Sequence, residues 1–371
     1  MKLPTAAAVA LMALAIHAHA APRAVVDISL KLERIRAEHR IPALAAAAVD
    51  EGEIVGVGVT GSRRADTDEA VTVDDIWHLG SCTKSMTASV CAMLVEDGKM
   101  RWDMTIGEVF PEWLDLMHDD WRSVRLEQLL VHLAGVPGTP RAKLWKDARR
   151  RLGTPTQQRI NYVRSLLVRK PLHTPGTHWE YSDSGYAIVG AMMERMTGKA
   201  WEDLMTERLF VPLGMKSAGF GEPASPGEVD QPWGHRGEEH PFHPVPPGPL
   251  ADNPPAIGPA ATVHCSIRDF ARYAAWHVAG ARGDGWLLSP ESFKKLHIPP
   301  EGADYAMGWA VTRRKWAGGV TLMHNGDNEM FYAVMWLGPG ENCCYVAATN
   351  SDGPEADAAC DEAIKAMINR F

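Results

Sequence analysis

Ser81 and Lys84 lie three positions apart, where an apolar, strand-like stretch at residues 76–79 passes through Gly80 into a helical pattern. A serine at the start of a helix lies in the positive end of the helix dipole, which stabilises negative charge on an attacked carbonyl oxygen. A lysine three residues later projects from the same face and can accept the serine proton if burial lowers its pKa. The pair therefore predicts a serine nucleophile with a lysine base.

The spacing alone is weak support, because Ser292 and Lys295 repeat it in a polar helical segment that no strand precedes. We interpret that second pair as part of the surface. The Gly-x-Ser-x-Gly elbow, the P-loop and His-Glu-x-x-His are absent from the sequence, so the chemistry of those motifs is not indicated.

Two later segments carry groups that fit the same chemistry. Tyr181 lies on a polar loop just before a helical pattern, where its hydroxyl could relay a proton or the ring could simply pack. His324 and Gly326 end an apolar strand near the C-terminus, and a glycine there either admits backbone N–H groups close to a ligand or forms a hairpin turn. The residues alone leave both alternatives open.

In this order, the segments resemble those of the serine β-lactamase and penicillin-binding-protein superfamily, in particular class C β-lactamases, D-aminopeptidases and family VIII carboxylesterases. Further matches are "LLVHLAGVP" at residues 129–137, "PLGM" at 212–215 and "MGW" at 307–309. The resemblance covers nearly the whole chain after position 20. It implies a serine hydrolase that works through an acyl-enzyme, with no metal and no organic cofactor.

Carried over residue by residue, the resemblance implies Ser81 as the nucleophile and Lys84 as its general base or base partner. Tyr181 matches the family's tyrosine, which shuttles protons to the leaving group. His324 and Gly326 match the strand motif that lies beside the substrate, which is Lys-Thr-Gly in many β-lactamases and His-x-Gly in many esterases of the group.

Two positions depart from the family's pattern. Asp183 stands where asparagine is usual, and an ionised carboxylate beside Lys84 would favour the ammonium form and make a poorer base. His324 is followed by Asp327, whose backbone N–H would join that of Ser81 in the implied oxyanion hole. This pairing leaves less positive charge than the family's lysine where a carboxylate would dock. Both changes argue against strong β-lactamase activity.

Three functions fit these observations. The leading hypothesis is hydrolysis of an ester, or of a short amide or peptide, through the Ser81 acyl-enzyme. The alternatives are a β-lactamase or D,D-peptidase, and a non-catalytic penicillin-binding-like protein, for which Asp183 is the argument. The formal net charge of −8 over 371 residues argues against a nucleic-acid partner, which usually meets a basic face, and leaves a small molecule or peptide.

The first twenty residues predict a secretory signal. Lys2 precedes an apolar run at residues 6–16, and Ala18 and Ala20 form a small-residue cleavage site. The run is about half of the roughly 20 residues that a bilayer crossing needs, and no later segment is long enough. We therefore expect cleavage after Ala20, a periplasmic or secreted protein, and no integral membrane span after removal of the signal.

The remaining patterns indicate how these residues are positioned. Strand-like patterns lie towards both ends of the chain, at residues 43–49, 54–59, 308–313, 320–324, 331–337 and 344–349. Helical patterns lie at residues 25–39, 86–96, 126–133, 157–168, 186–196, 267–278 and 355–371. The sequence therefore predicts an α+β fold in which an antiparallel sheet, built from both chain ends, is flanked by terminal helices.

We expect residues 21–371 to form one catalytic unit. Residues 21–80 and 300–371 would form its α/β part, and residues 81–299 a mainly helical part inserted between them. The proline-rich stretch at 221–259 is expected to be a loop, either a lid or wall of the cleft or a covering segment.

The histidines and cysteines give weaker signals. His235, His240 and His243 cluster in that loop without metal-ligand spacing, so we interpret them as solvated surface and expect no metal site.

Cys82 and Cys91 are expected to be apolar fillers of a buried helix. Adjacent Cys343 and Cys344 point to opposite faces of a strand, so one of them could form a disulfide with Cys360.

Overall fold

The computed structural model describes residues 23–237 and 242–371. The predicted signal segment at residues 1–20 therefore lies outside the described residues, and so does His240. The strands are β1 (Val26–Asp27), β2 (Ala43–Asp50), β3 (Glu53–Gly61), β4 (Ile76–His78), β5 (Gly219–Phe220), β6 (Gly234–Arg236), β7 (His243–Val245), β8 (Val263–Ser266), β9 (Ala310–Arg314), β10 (Gly319–Asp327), β11 (Tyr332–Gly338) and β12 (Cys343–Thr349). The helices are α1 (Ser29–His39), α2 (Thr83–Glu96), α3 (Ile106–Val109), α4 (Asp119–Arg122), α5 (Leu126–Leu130), α6 (Ala142–Ala148), α7 (Pro155–Leu167), α8 (Asp183–Thr197), α9 (Trp201–Met205), α10 (Val211–Leu213), α11 (Gly258–Ala261), α12 (Ile267–Arg282), α13 (Pro290–His297) and α14 (Pro354–Ile368).

A seven-stranded sheet is built from residues near both ends of the described chain. Its order is β1-β3-β2-β12-β11-β10-β9, and neighbouring strands are antiparallel except for the short parallel pair of β1 and β3. Helices α1 and α14 pack on one face, and α12 packs on the other. The predicted α+β fold with terminal helices flanking the sheet is therefore confirmed.

The central strands show why the chain forms this layered core. Successive side chains of a strand point to opposite faces, so a strand covered on both sides must be apolar throughout. In β2, Leu44 and Ala46 pack with the terminal helices, whereas Ala45 and Ala47 pack with the larger core on the other face. The run of alanines in β2 is thus a consequence of burial on both faces.

The strand that precedes the nucleophile, β4, belongs to a second sheet, which has three strands in the order β4-β8-β5. Strand β4 ends at His78, and a short 3-10 turn over Gly80–Cys82 leads directly into α2. Every residue of α2 from Thr83 to Leu94 is buried. A helix that is buried all round is fixed by packing rather than by an amphipathic face, and this rigidity carries over to the turn before it.

Some elements in the structure have different bounds from those that the sequence predicts. Val26 and Asp27 pair in parallel with β3 instead of opening the first helix, which begins at Ser29. Residues 221–259 are not one unbroken loop, because β6 and β7 pair within them. Among the described residues, none of the helices combines the length and the apolar composition that a bilayer crossing requires.

All six cysteines are buried and occur as free thiols, so the suggested bridge to Cys360 is not present. The predicted alternation of the adjacent pair is correct. Cys343 packs in the cluster that contains Cys360, whereas Cys344 faces the opposite core. Cys82 and Cys91 are buried, as the helical pattern predicted.

Candidate active site

Ser81 lies in the 3-10 turn between β4 and α2. Strand β9 pairs with β10 only as far as Met323, so the end of β10 from His324 onward is left to face this turn. The carbonyl oxygen of His324 lies 3.4 Å from the Sγ atom of Cys82, the residue that follows the serine. The structure therefore brings two of the sequence-predicted segments together.

Two glycines allow β10 to approach the turn closely. At Gly80, where φ is +49°, a Cβ atom would lie 2.4 Å from the backbone nitrogen of Asp327. At Gly326, a Cβ atom would lie 2.3 Å from the backbone nitrogen of Ser81. A side chain at either position would push the strand away from the turn. The two nitrogens that we predict to form the oxyanion hole thus lie at a junction that depends on glycine.

Lys84 is fully buried one helical turn after the serine. Its Nζ atom lies 2.8 Å from Ser81 Oγ, 2.6 Å from Asp183 Oδ1 and 3.3 Å from the carbonyl oxygen of Ala260. An ammonium group has three N–H donors, and these three acceptors match them. A neutral amine could instead donate to Asp183 and Ala260 and direct its lone pair at the Ser81 hydroxyl.

Asp183 is the first residue of α8, so the start of this helix presents the carboxylate to the lysine. Burial lowers the pKa of the Lys84 ammonium, and the Asp183 carboxylate opposes that lowering. Burial is the larger influence, so the pKa lies below its ordinary value. Since 36% of the Asp183 side chain is exposed, water screens part of the attraction.

Tyr181 lies above the lysine, with its ring centroid 4.6 Å from Lys84 Nζ. Burial raises the pKa of Tyr181 well above its ordinary value, although the neighbouring Ser81 side chain favours the phenolate. The tyrosine is therefore a phenol at neutral pH, and it can donate a proton. It cannot act as a base unless it first passes its own proton on.

His132 positions the loop that carries Tyr181, a role that sequence reasoning missed. Its carbonyl oxygen accepts a hydrogen bond from the backbone of Glu180 at 2.9 Å, and its Nδ1 atom accepts one from the backbone of Ser182 at 3.2 Å. The imidazole ring lies 4.5 Å from the Tyr181 ring. In the sequence, His132 is visible only as part of the "LLVHLAGVP" match.

His324 is buried, and its imidazole accepts a hydrogen bond from Tyr305, whose hydroxyl lies 2.9 Å from Nε2. The Nδ1 atom donates to the carbonyl oxygen of Asn325. Burial and the charge of Lys84 lower the pKa of His324 to about 3, so the ring is neutral at physiological pH. No motif in the sequence indicated Tyr305, because the contact depends on how the chain after α13 returns to the sheet.

The stretch at residues 221–259 contacts the strand that leads to the nucleophile. Asp252 is buried, and its Oδ1 atom lies 2.8 Å from Nε2 of His78 in β4. The Nδ1 atom of the same histidine accepts a hydrogen bond from the backbone of Gly80 at 3.1 Å. Within this stretch, His235 is also buried, with its Nε2 atom bonded to the backbone of Ala65, so the prediction of a solvated surface is wrong for this histidine.

The fold and these contacts define a class of protein. A serine at the start of a buried helix, with a lysine amine 2.8 Å from its hydroxyl, has the geometry that a nucleophile and its base require in a serine hydrolase. The family model described as beta-lactamase matches residues 28–367, and the chain belongs to this family.

Individual relatives agree with this assignment. The chain is 27% identical to penicillin-binding protein 4 of Amycolatopsis lactamdurans over 333 residues. The matched region covers 86% of this chain and 84% of that protein. It is 26% identical to the unguisins hydrolase ungD' of Aspergillus campestris, over 84% of this chain and 59% of that protein. A D-stereospecific amidohydrolase from Streptomyces has the same fold, with a TM-score of 0.69 at 20% identity over 90% of this chain and 97% of that one. The protein is a serine hydrolase related to β-lactamases.

Proposed function

We propose that the protein hydrolyses an ester, or a short amide or peptide, through an acyl-enzyme on Ser81. The observation that carries the proposal is the contact of the buried Lys84 amine with both Ser81 Oγ and Asp183 Oδ1. This contact supports a role for Lys84 as the base of Ser81 and for Asp183 as the charge that adjusts the pKa of that base.

The acylation step follows from the geometry. Neutral Lys84 accepts the proton of the Ser81 hydroxyl while Oγ forms a bond with the acyl carbon. The carbonyl oxygen becomes an oxyanion, and the backbone N–H groups of Ser81 and Asp327, whose nitrogens lie at the junction of Gly80 and Gly326, stabilise it. The lysine that results is an ammonium ion, and it then finds all three of its acceptors in place.

Loss of the leaving group needs a proton. Tyr181, which remains a phenol at neutral pH, donates its hydroxyl proton to the departing oxygen or nitrogen, and the Lys84 ammonium restores that proton to the tyrosine. A water molecule then attacks the acyl carbon and gives one proton to Lys84. The bond between Ser81 Oγ and the acyl carbon breaks, Oγ takes that proton from Lys84, and the acyl group leaves as a carboxylic acid. The site is thus returned to its starting state.

The end of β10 favours substrates without a carboxylate near the scissile bond. The neutral His324 stands at the position where the resemblance gives many β-lactamases a lysine, and the exposed carboxylate of Asp327 follows it three residues later. A β-lactam or cell-wall peptide carboxylate would meet negative rather than positive charge there. This contrast favours ester or uncharged amide substrates over β-lactams.

The substrate class can be tested with a short-chain p-nitrophenyl ester, a D-alanyl peptide and a chromogenic cephalosporin, each assayed with the purified protein and with Ser81→Ala. We expect ester turnover that depends on Ser81 and exceeds cephalosporin turnover. Cephalosporin turnover well above ester turnover would support the β-lactamase alternative instead. Absence of turnover on all three would support a non-catalytic binding protein.

We further propose that the protein is exported, on the strength of the signal pattern that ends at Ala20. The intact mass of the protein recovered from the periplasm or medium of a bacterial host should then correspond to a chain that begins at Ala21. A full-length mass, with the protein confined to the cytoplasm, would contradict export.

A further inference from the structure

Two histidines and a glutamate converge on the loop that leads to Tyr181. The possible metal-ligating atoms of His173, His178 and Glu180 all lie within 4.8 Å of one another. The two imidazole ring centroids are 4.1 Å apart, and Nε2 of His173 lies 3.8 Å from Oε2 of Glu180. Among the described residues, no other group of three or more His, Cys, Asp or Glu side chains meets this criterion.

The loop holds these side chains in place by its backbone. The N–H groups of Leu172, Gly176 and Glu180 donate hydrogen bonds of 2.7 to 2.9 Å to carbonyl oxygens in residues 132–135. The turn at Gly176, with φ of +86°, folds the chain so that His178 returns to His173. The ligands therefore lie on an anchored loop, so metal binding would cause a smaller loss of conformational entropy than it would on a free loop.

The donor set and its surroundings fit a zinc ion. Two imidazoles and one carboxylate are a known ligand set for Zn²⁺, whose tetrahedral bonds of about 2.0–2.2 Å place ligand atoms roughly 3.3–3.6 Å apart. Small rotations of these partly exposed side chains would bring their ligand atoms, which now lie within 4.8 Å of one another, to that distance. The backbone N–H of Gly138 already donates to Oε1 of Glu180 at 3.3 Å, which orients the carboxylate and leaves Oε2 for the metal.

We propose that His173, His178 and Glu180 bind one Zn²⁺ ion and that the bound ion holds the loop that presents Tyr181. Glu180 directly precedes the tyrosine, so a metal on its carboxylate restrains the backbone that positions the phenol. The site is open to solvent through the exposed His178, which gives the ion a path of entry. Neither Ser81 nor Lys84 belongs to it, so binding does not depend on the proposed hydrolysis.

Isothermal titration calorimetry of the full protein with ZnCl₂ at pH 7.5 tests the site. We expect one ion per chain in the wild type and in Ser81→Ala, and a loss of affinity of at least about tenfold in His178→Ala and in Glu180→Gln. The matched control is His118→Ala, because His118 is a partly exposed histidine beside a single carboxylate, Asp120, at 3.8 Å. Mg²⁺ should not compete, because it prefers oxygen ligands.

Hydrogen exchange gives a second readout that is independent of turnover. Zn²⁺ should slow amide exchange in residues 171–182 of the wild type and leave it unchanged in His178→Ala, whose circular dichroism should match the wild type. Equal zinc affinity in wild type and both ligand variants, no binding at all, or protection confined to another segment would overturn the proposal.

Discussion

Replacing Asp183 by asparagine should shift the pH dependence of the enzyme to lower pH. The carboxylate lies 2.6 Å from Lys84 Nζ and favours the ammonium form, which cannot act as a base. The amide of the substituted side chain would keep an oxygen that accepts a hydrogen bond and would lack the charge. The change therefore tests the charge of Asp183 with little change in shape.

The size of the shift follows from the geometry. A partner of opposite charge within a few ångströms moves a pKa by about 1–3 units, and the partial exposure of Asp183 places the expected effect at about 1–2 units. In the plot of kcat/KM against pH, the ascending limb should move to lower pH by that amount. At a pH well below the wild-type midpoint, Asp183→Asn should then be about 10 to 100 times more active, with similar plateaus at high pH.

The assay is kcat/KM for a p-nitrophenyl ester from pH 5 to 10, with the uncatalysed rate subtracted. Asp327→Asn is the matched control, because Asp327 also raises the pKa of Lys84 but more weakly than Asp183. We expect a shift clearly smaller than that of Asp183→Asn. A profile that does not move in Asp183→Asn, or that moves to higher pH, would refute the assignment of Lys84 as the base.

Three further changes test other parts of the account. Gly326→Ala should lower kcat by about a hundredfold, as loss of one oxyanion donor does, whereas Gly185→Ala, whose Cβ would lie 3.6 Å from its nearest neighbour, should leave kcat nearly unchanged. Tyr305→Phe removes the donor to buried His324 and should lower the free energy of unfolding in urea by about 1–3 kcal/mol. Burial lowers the pKa of His297 to about 3, so below about pH 6.5 the unfolded state binds a proton that the folded state does not. The free energy of unfolding should therefore fall as pH falls towards 3. Between pH 7.5 and 5, His297→Gln should remove about 2 kcal/mol of this loss.

Much of the fold could be predicted because its strands are continuous apolar runs. The run that became β2 is apolar at every position from Ala43 to Val49, and the partner strand β12 is almost as uniform. Period and length identify such segments without knowledge of their partners. The parallel pairing of Val26 and Asp27 with β3 could not be predicted in this way, since two residues carry no periodicity and only the tertiary contact defines them.

The candidate site also contains residues that the sequence could predict and residues that it could not. Ser81 and Lys84 lie three residues apart, so the sequence could predict their contact, and the strand before them distinguishes them from Ser292 and Lys295. Tyr305 lies 19 residues before His324, a separation at which no local periodicity links the two side chains. The partners of its hydroxyl are set by the packing of loops, and one sequence contains no record of that packing.

The metal-ligand cluster shows the same limit. His173 and His178 are five residues apart, a spacing that indicates nothing on its own, and the turn at Gly176 brings them together. The sequence drew attention instead to His235, His240 and His243, and of these the structure shows His235 to be buried and engaged with the backbone.

The most direct test of the central claim is the site of covalent modification. The protein is treated with a fluorophosphonate probe, and in parallel with a slowly hydrolysed ester that is quenched in acid, and the digested peptides are examined by tandem mass spectrometry. The expected result is one adduct per chain on Ser81, absent in Ser81→Ala and unaffected in Ser292→Ala. An adduct on another residue, or ester hydrolysis that persists undiminished in Ser81→Ala, would contradict it.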